Sequence, residues 1–532
     1  MELHVRRLVP GGDWAVMLAG FTAALMAVVL ALTRSRRTGS RVPWPRPRQV
    51  PFGLLHTIRM AVDANGFLAG LRDRYPEGVF SLRLCGRPHH FLHGPRMATS
   101  LLNRPVTEAE TLSAGLLVSN FGFSEGDRDH HARLAGESRG NFRLLMSEPG
   151  LGGLVAAVVG YVGGCASRLV CFDGGEQPEW ARMAGAETVA CGVVEADLMG
   201  LARNFVALTA NKALFGSDFV DNMVERGLWE SLWNFDEGFL LLGLAARLPS
   251  WLSWPKLTRV KTAQRRLLGY ARDFVVAMDR EVAGSDPGEE WKRLGDVSAF
   301  VSARHDTYRS NGLSLAARAS SDLALLWAMN ANANLLVPWM LLEIYRRPAL
   351  LAAIRDEIAP CMHRSTDDGV GDVDVEGLLG RCPRLKAAYV ETLRVYTGPW
   401  TVRRLKEDVV VGEGKKRGFF WEGGFAHVAH EMHHMDPAYF PDPEVWACER
   451  HLREEGGERE ERGGVRLVAD MGTLRPYGGG PAMCKGRAFA VRELLLYAAV
   501  VVDLYEMGPV RGGEWPVPET FKVVATRRAR GR

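Results

Sequence analysis

Residues 477–487 read Tyr-Gly-Gly-Gly-Pro-Ala-Met-Cys-Lys-Gly-Arg, and this short segment constrains the fold of the chain more than any other. Glycine adopts backbone conformations that other residues avoid, so backbone N–H groups can turn toward the sulfur of Cys484. Such donors favour the thiolate over the thiol, as does the N-terminus of the apolar helical run that follows at 488–502. The segment therefore indicates a buried thiolate ligand. The alternative is a flexible turn beside a structural cysteine.

The pattern aromatic-x-x-Gly-x-x-x-Cys-x-Gly in this segment resembles the cysteine-ligand loop of the cytochrome P-450 superfamily. The resemblance extends over roughly residues 50–525 and is strong from about residue 320 onward. It implies a mainly α fold with small β-sheets, and a haem b cofactor whose iron is ligated by the Cys484 thiolate. It also implies that four further loop residues bind the cofactor, namely Tyr477, Gly478, Gly480 and Gly486.

Two more motifs follow in the family's order. Glu391 and Arg394 form Glu-x-x-Arg, whose spacing places both side chains on one face of a helix. Residues 433–450 resemble the family's meander segment, in which Arg450 takes the position of the family arginine and Cys448 replaces a proline. The resemblance implies a network of Glu391, Arg394 and Arg450. A buried ion pair needs such further partners to offset its desolvation. The role that the resemblance implies for the network is structural rather than chemical.

Three asparagines, Asn330, Asn332 and Asn334, lie in the apolar segment 325–339, which also contains Pro338. Asparagine side chains compete for backbone hydrogen bonds, and proline removes one. We therefore expect a long helix over 314–345 with a kink at the proline and polar groups that mark a site. The alternative is a kinked core helix whose amides bond locally.

In most of the family the corresponding helix carries an acid and a threonine that relay protons. Here the best alignment places Ala331 at the acid and Asn332 at the threonine. The Trp-Ala-x-x-Ala-Asn pattern is similar to the branch of sterol 7α- and 12α-hydroxylases and prostacyclin synthase, which contains both monooxygenases and an isomerase. We expect Asn332 to be the catalytic residue on the distal side of the haem. A carboxamide can orient a water molecule but does not readily pass on a proton.

Cationic side chains are needed to bind the propionates of a haem. Arg475 lies two residues before Tyr477, and Arg403 follows the Glu-x-x-Arg helix at a spacing typical of the family. Arg133 takes the position of the arginine in the family's Trp-x-x-x-Arg, although the tryptophan is absent. We rank Arg475 and Arg403 above Arg133. Each of the three could instead be a solvated surface arginine.

Residues 14–33 carry no charge, and a helix of about 20 residues spans a bilayer core. The chain is therefore expected to have a single N-terminal transmembrane anchor at 1–33, an Arg/Pro-rich hinge at 34–53 and one catalytic domain at 54–532. A cleaved signal peptide is the alternative. Arginines are concentrated after the apolar run, so the positive-inside rule places the catalytic domain in the cytosol, at the endoplasmic reticulum membrane. Residues 239–254 predict either a second membrane contact or a buried helix end.

Periodicity predicts helices at 65–75, 154–170, 188–213 and 261–282, and strands at 79–84 and 89–92. The net charge of +4 and the pI of about 8.6 do not point to a nucleic acid partner. The eight cysteines form no Cys-x-x-Cys pair. In a cytosolic domain they should stay reduced, and seven of them are expected to be ordinary core residues.

Together these features predict a membrane-anchored haem-thiolate monooxygenase. It would oxidise a lipophilic small molecule, such as a terpenoid, a steroid or another specialised metabolite, with O₂. The electrons would come from NADPH through cytochrome P-450 reductase, with cytochrome b5 as a second candidate donor. One alternative is a haem-thiolate isomerase or dehydratase that needs no reductase, and it is favoured by the missing acid and threonine. A further alternative is a non-catalytic haem-binding membrane protein.

Overall fold

The computed structural model describes residues 53–84, 87–104, 107–108, 110–245, 254–364, 370–413, 416–420, 422–455, 466–510 and 522–528. These residues form a mainly α-helical protein with small β-sheets, as the sequence predicts. The predicted anchor at 1–33 and all of the hinge except its last residue lie outside the described residues. The same is true of 246–253 in the candidate membrane contact.

The α-helices of the described part are numbered in chain order. They are α1 (Gly53–Val62), α2 (Ala64–Arg74), α3 (Pro95–Leu102), α4 (Glu110–Phe121), α5 (Glu125–Arg133), α6 (Ala135–Asn141), α7 (Gly150–Cys165), α8 (Glu179–Met183), α9 (Leu198–Phe215), α10 (Ser217–Glu225), α11 (Trp229–Glu237), α12 (Phe239–Ala245), α13 (Pro255–Val282), α14 (Ala299–Ser310), α15 (Leu315–Asn330), α16 (Ala333–Tyr345), α17 (Pro348–Ile358), α18 (Val375–Arg381), α19 (Pro383–Tyr396), α20 (His430–His434) and α21 (Arg487–Leu504).

The β-strands are numbered in the same way. They are β1 (Val79–Leu84), β2 (Arg87–Leu92), β3 (Thr107–Glu108), β4 (Glu187–Ala190), β5 (Val193–Asp197), β6 (Met362–Arg364), β7 (Val370–Val373), β8 (Trp400–Leu405), β9 (Val409–Glu413), β10 (Lys416–Phe420), β11 (Phe425–Ala429), β12 (Leu452–Glu455), β13 (Arg466–Ala469), β14 (Tyr505–Pro509) and β15 (Lys522–Arg527).

The chain divides into two compact units. The first comprises the described residues of 53–112, 393–446 and 471–484 and is called the sheet unit. The second comprises the described residues of 113–392, 447–470 and 485–528 and is called the helical unit. Each unit is built from three segments that are distant in sequence, and one boundary between the units falls inside α19.

The sheet unit is organised around a five-stranded sheet with the order β1-β2-β11-β8-β3. The predicted strands at 79–84 and 89–92 form its antiparallel β1–β2 hairpin, and β11 lies parallel to β2 and antiparallel to β8. The rings of Phe80 and Phe91 face each other across the hairpin and stack at 5.3 Å. They pack with Leu68 and Leu71 of α2 to form a core that fixes the register of the sheet.

The helical unit is organised around α9, along which most side chains are buried. The Asp197 side chain caps its N-terminus by accepting from the Gly200 N–H, and Gly216 follows its last residue with a φ of +89°. Helices α7, α8 and α16 pack against it. The same unit contains a four-stranded sheet with the order β14-β15-β5-β4 and the two-stranded ladders β6–β7 and β12–β13.

The helix predicted at 188–213 is wrong in its first third. Residues 187–190 and 193–197 are β4 and β5, and α9 begins only at Leu198. β5 pairs with β15 from the end of the chain, where Val194 lies opposite Ala525 and Ala196 opposite Val523. Gly192, with a φ of +71°, supplies the turn between β4 and β5. A partner from the C-terminus thus decides the conformation of a segment whose local pattern is ambiguous.

The long helix predicted at 314–345 is interrupted, but not at Pro338. Helix α15 ends at Asn330, α16 begins at Ala333, and Pro338 lies inside α16. The Asn330 side chain donates to the Leu326 carbonyl oxygen at 2.7 Å, a local bond that competes with the regular helix ladder. The interruption is therefore associated with asparagine rather than with proline.

Two helical stretches in the described part, Gly150–Arg168 and Leu315–Tyr345, are long and apolar enough to cross a membrane. Within the apolar windows that meet this criterion, 33% of the first and 50% of the second are buried inside the protein. The core helices of soluble proteins meet the same criterion. Length and composition alone therefore do not assign either stretch to a bilayer.

The cysteines match their prediction only in part. Cys361, Cys382 and Cys448 are buried, whereas Cys191 is exposed. Cys191 lies in the turn between β4 and β5, which carries it away from the core. The seven described cysteines are not disulfide-bonded.

Candidate functional site

The loop that ends at Cys484 closes on itself through its backbone. The Cys484 N–H donates to the Tyr477 carbonyl oxygen at 3.1 Å, and the Met483 N–H donates to the Gly480 carbonyl oxygen at 3.0 Å. At the start of the loop the Gly478 N–H donates to the Arg475 carbonyl oxygen at 3.1 Å. These bonds fix the backbone on both sides of the glycines, so the position of the cysteine is set within the loop.

The Cys484 side chain is exposed on the protein surface. Its neighbours Pro481 and Ala482 are exposed as well, so this part of the loop does not pack into the core of the sheet unit. An accessible sulfur on a fixed backbone has the chemistry required of a metal ligand.

Gly480 occupies a position that no other residue could take without moving the backbone. Its φ is +69°, and a Cβ atom there would lie 2.1 Å from the Leu102 carbonyl oxygen. Gly478, with a φ of +72°, would place a Cβ atom 3.1 Å from Thr401 Oγ1. The two glycines therefore allow the loop to pass close to α3 and β8.

Arg403 and Arg475 both belong to the sheet unit, as does the loop. Arg403 is buried on β8, and one Nη atom lies 3.5 Å from the Gly479 carbonyl oxygen. Arg475 donates from Nη2 to Thr99 Oγ1 at 2.8 Å, and its buried Nε has no hydrogen-bond partner. Among the described residues, no carboxylate forms an ion pair with either guanidinium. Desolvation lowers the pKa of Arg403, so a bound anion would relieve its burial cost.

Arg133 does not join these two arginines in the sheet unit. It is exposed at the last position of α5, in the helical unit. Nothing in the geometry of α5 distinguishes Arg133 from a solvated surface arginine.

Neutral histidines surround the start of the loop. His434 Nε2 accepts from the Arg475 backbone N–H at 3.2 Å, and His430 Nε2 lies 3.0 Å from Thr401 Oγ1. Burial lowers the pKa of His430 to about 4 and that of His434 well below its usual range. Positively charged Arg475 also lowers the pKa of His430. At neutral pH the positive charge near the loop is therefore carried by the arginines.

Glu391 is completely buried, and partners of its carboxylate in the helical unit include Ala447, Arg450 and His451. Oε1 accepts from the Ala447 N–H at 2.9 Å and from Arg450 Nε at 3.1 Å. Oε2 lies 2.7 Å from His451 Nε2. The predicted contact between Glu391 and Arg450 is thus present, and His451 is a partner that the sequence did not reveal.

Arg394 is also completely buried and belongs to the sheet unit. Its guanidinium donates to the carbonyl oxygens of His434 at 2.9 Å, Pro443 at 2.7 Å and Val445 at 3.2 Å. The Phe440 ring lies 5.3 Å from the guanidinium carbon. Arg394 therefore fastens the 434–445 segment to α19 through backbone acceptors. Its role in the described contacts is structural.

Asn332 lies at the interruption between α15 and α16. Its φ of −128° and ψ of −61° are outside the helical region, and its side chain does not cap α16. The side chain is exposed and makes no hydrogen bond to a described residue. Asn330 and Asn334, in contrast, are buried. Only one of the three asparagines thus presents a free carboxamide.

A family model of Cytochrome P450 matches residues 251–530 of the chain, which is more than half of its length. The chain belongs to the cytochrome P450 family. Members of this family are enzymes that bind a thiolate-ligated haem iron and receive electrons from a redox partner, so the protein is a cytochrome P450 monooxygenase with that cofactor.

Individual relatives agree with this assignment. The chain is 23% identical over 521 residues to cytochrome P450 monooxygenase efuG of Hormonema carpetanum, and this alignment covers 90% of the chain and 86% of the relative. It is 24% identical over 225 residues to the 5-beta-cholestane-3-alpha,7-alpha-diol 12-alpha-hydroxylase of Sus scrofa, covering 42% and 44%. It is 24% identical over 254 residues to prostacyclin synthase of Bos taurus, covering 44% and 49%. The predicted similarity to the sterol hydroxylase and prostacyclin synthase branch is confirmed.

The residues of the sheet unit fit a haem. The donor set consists of one accessible thiol, at Cys484, and two buried or half-buried guanidiniums without carboxylate partners, at Arg403 and Arg475. A haem presents one iron to ligate and two propionates to neutralise, so the chemistry of the set matches the group.

Proposed function

We propose that the protein is a membrane-anchored haem-thiolate monooxygenase in which the Cys484 thiolate would ligate the haem iron. The observation that carries this proposal is the self-closing loop, which presents an exposed cysteine in the same unit as two arginines that lack a carboxylate partner. When bound, the haem supplies the activation of O₂ and the transfer of one oxygen atom to the substrate.

The residues of the chain hold and tune this group. The Cys484 thiolate would ligate the iron, and Arg403 and Arg475 would neutralise the propionates. Gly478 and Gly480, whose positive φ sets the path of the loop, would allow its backbone to bind the cofactor. Tyr477 and Gly486, at the two ends of the motif, would bind it as well. His430 and His434 are neutral, so the positive charge available to the propionates is that of Arg403 and Arg475. Arg133 is a weaker candidate for a propionate contact, since it is exposed.

Asn332 is proposed to face the distal side of the haem. Its carboxamide can donate one hydrogen bond and accept another, and so can orient a water molecule or a polar group of the substrate. With Ala331 at the position of the usual acid, the carboxamide does not supply the proton itself. We therefore assign Asn332 an orienting role, with protons delivered by solvent.

The substrate is proposed to be a lipophilic small molecule, such as a terpenoid, a steroid or another specialised metabolite. The similarity to a cholestane-diol hydroxylase supports this class, because that relative's name specifies a cholestane diol as the molecule it hydroxylates. Residues 1–33 are proposed to anchor the domain on the cytosolic side of the endoplasmic reticulum membrane, where an NADPH-dependent reductase, with or without cytochrome b5, would reach it.

A second candidate is a haem-thiolate isomerase or dehydratase that rearranges an oxygenated substrate without reductase. Ala331 and Asn332 in place of the usual acid and threonine favour it, as does the similarity to prostacyclin synthase. The two candidates differ in their need for electrons.

The test uses the purified full-length protein in detergent, wild type and Cys484→Ala, with Cys448→Ala as the matched control. Reduced wild type and the control should bind carbon monoxide with the red-shifted Soret band of a thiolate-ligated haem, and Cys484→Ala should lose that band. A normal band in Cys484→Ala would exclude Cys484 as ligand. Consumption of NADPH and O₂ with added reductase identifies a monooxygenase, whereas turnover without either identifies an isomerase.

A further inference from the structure

Three buried asparagines of the helical unit form one hydrogen-bonded cluster. Asn211 on α9 is 1% exposed, Asn330 at the end of α15 is 3% exposed and Asn334 in the first turn of α16 is 1% exposed. Asn211 Nδ2 donates to Asn330 Oδ1 at 3.0 Å, and Asn330 Nδ2 donates to Asn211 Oδ1 at 3.2 Å. Asn334 Nδ2 donates to the same Asn330 Oδ1 at 3.2 Å. We call these residues the amide cluster.

The orientation of two of the three carboxamides in the amide cluster, those of Asn211 and Asn330, is fixed by a backbone acceptor. Asn211 Nδ2 also donates to the Ala207 carbonyl oxygen at 2.7 Å, and Asn330 Nδ2 donates to the Leu326 carbonyl oxygen at 2.7 Å. A carbonyl oxygen can only accept, so neither carboxamide can be turned over without losing a hydrogen bond. The cluster therefore ties α9 to both sides of the interruption in one defined arrangement.

The interruption consists of the two residues that lie between Asn330 and the start of α16. Asn332 is the second of them, and its carboxamide is the exposed one. If a regular helix continued through these residues, the Asn332 side chain would point in a different direction, because each residue of an α-helix is rotated by about 100° from the one before it. The amide cluster holds the helix ends on either side of Asn332 and so determines where its side chain points.

One hydrogen-bond acceptor of the amide cluster is left without a donor, which a purely structural cluster would not require. Asn334 Oδ1 is buried and accepts no hydrogen bond from a described residue. A buried acceptor without a donor costs stability. This cost falls at Asn334, two residues after Asn332. Locally unfavourable arrangements of this kind cluster at functional sites.

We propose that Asn211 is a positioning residue for the reaction: through Asn330 and Asn334 it fixes the interruption between α15 and α16 and thereby the orientation of Asn332. This inference rests on the distal role proposed for Asn332. It adds a residue on a different helix, more than a hundred positions earlier in the chain, whose side chain bonds Asn330 and the Ala207 carbonyl oxygen. Loss of Asn211 should therefore release Asn332 rather than remove it.

The matched control is Thr209, which lies on the same helix. Thr209 is buried, and its hydroxyl donates to the Phe205 carbonyl oxygen at 2.8 Å and bonds the Tyr497 hydroxyl. Thr209→Val removes a buried polar group of α9 that has no contact with the amide cluster. It should lower thermal stability as Asn211 variants do, so that stability alone cannot account for a difference between them.

The experiment compares the full-length haem-loaded protein with its reductase for wild type, Asn211→Leu, Asn211→Ser, Asn332→Ala, Asn211→Leu/Asn332→Ala and Thr209→Val. Product formed per NADPH should fall at least about twofold in the Asn211 and Asn332 variants, a loss at the lower end of couplings within one hydrogen-bond network. The double variant should be no worse than Asn332→Ala, and Thr209→Val should match wild type. Asn211→Ser serves if Asn211→Leu does not fold.

A second readout does not depend on turnover. Hydrogen–deuterium exchange of the peptide that spans residues 326–340 should speed up in Asn211→Leu and Asn211→Ser and stay at the wild-type rate in Thr209→Val. If both Asn211 variants keep wild-type exchange and wild-type product per NADPH while Asn332→Ala loses product, the positioning role is overturned and the role of Asn332 stands. If Asn332→Ala itself keeps wild-type product per NADPH, the proposed role of Asn332 is wrong and the inference falls with it.

Discussion

Glu493 on α21 is a buried carboxyl group that should make the protein lose stability as the pH rises. It is 3% exposed. No described residue donates a hydrogen bond to it or forms an ion pair with it. Desolvation raises its pKa from 4.5 to about 8. The carboxyl is therefore mostly protonated at neutral pH, and Glu493→Gln should replace it without loss of stability there.

The size of the effect follows from the difference between the folded and unfolded states. The unfolded chain releases the proton near pH 4.5, whereas the folded chain keeps it up to about pH 8. The free energy of unfolding therefore falls by about 1.4 kcal/mol for each pH unit in this window. Below the window both states hold the proton and nothing is lost. At pH 7 the loss amounts to about 3 kcal/mol, a large share of the about 5–15 kcal/mol usual for a domain.

The assay is urea unfolding of the full-length protein in detergent, followed by far-ultraviolet circular dichroism across the window from about pH 5 to pH 8. The difference in unfolding free energy between Glu493→Gln and wild type should grow in favour of the variant as the pH rises. Glu454→Gln, which changes an exposed carboxylate on β12, is the control and should follow wild type. Parallel curves for wild type and Glu493→Gln at every pH would refute the reasoning, because the carboxyl would then ionise alike in both states.

The remaining predictions concern the buried network and the anchor. Glu391→Ala should prevent recovery of stable haem-loaded protein, because removing one partner of a buried pair costs about 3–5 kcal/mol; well-folded but inactive protein would mean that the carboxylate acts in catalysis instead. Deletion of residues 1–33 should release the protein from sedimented membranes and leave the carbon monoxide difference spectrum unchanged. Partial retention on membranes would support a second contact near residues 239–254, and full retention would contradict the anchor.

Short-range motifs in the sequence determine the family, the cofactor and the residues around the loop. Cys484 and its glycines lie within ten residues, and such a loop depends mainly on the conformations that glycine permits. The positive φ of Gly480 and its close approach to α3 agree with that reasoning. The spacing of Glu391 and Arg394 likewise predicts one helix face, since three residues make nearly one helical turn. Local geometry decides these features, and a sequence displays local geometry directly.

Tertiary structure decides the features that need a partner far away in the chain. His451 reaches Glu391 only because the short 3₁₀ helix Cys448–His451 brings it there. Nothing in the sequence marks His451 as a partner of that carboxylate. β4 and β5 form strands because β15, from the C-terminus, pairs with β5. Asn330, the last residue before the interruption, is hydrogen-bonded to Asn211 on another helix, 119 positions earlier in the chain. These contacts join groups that only the fold brings together. A local sequence pattern therefore cannot predict them.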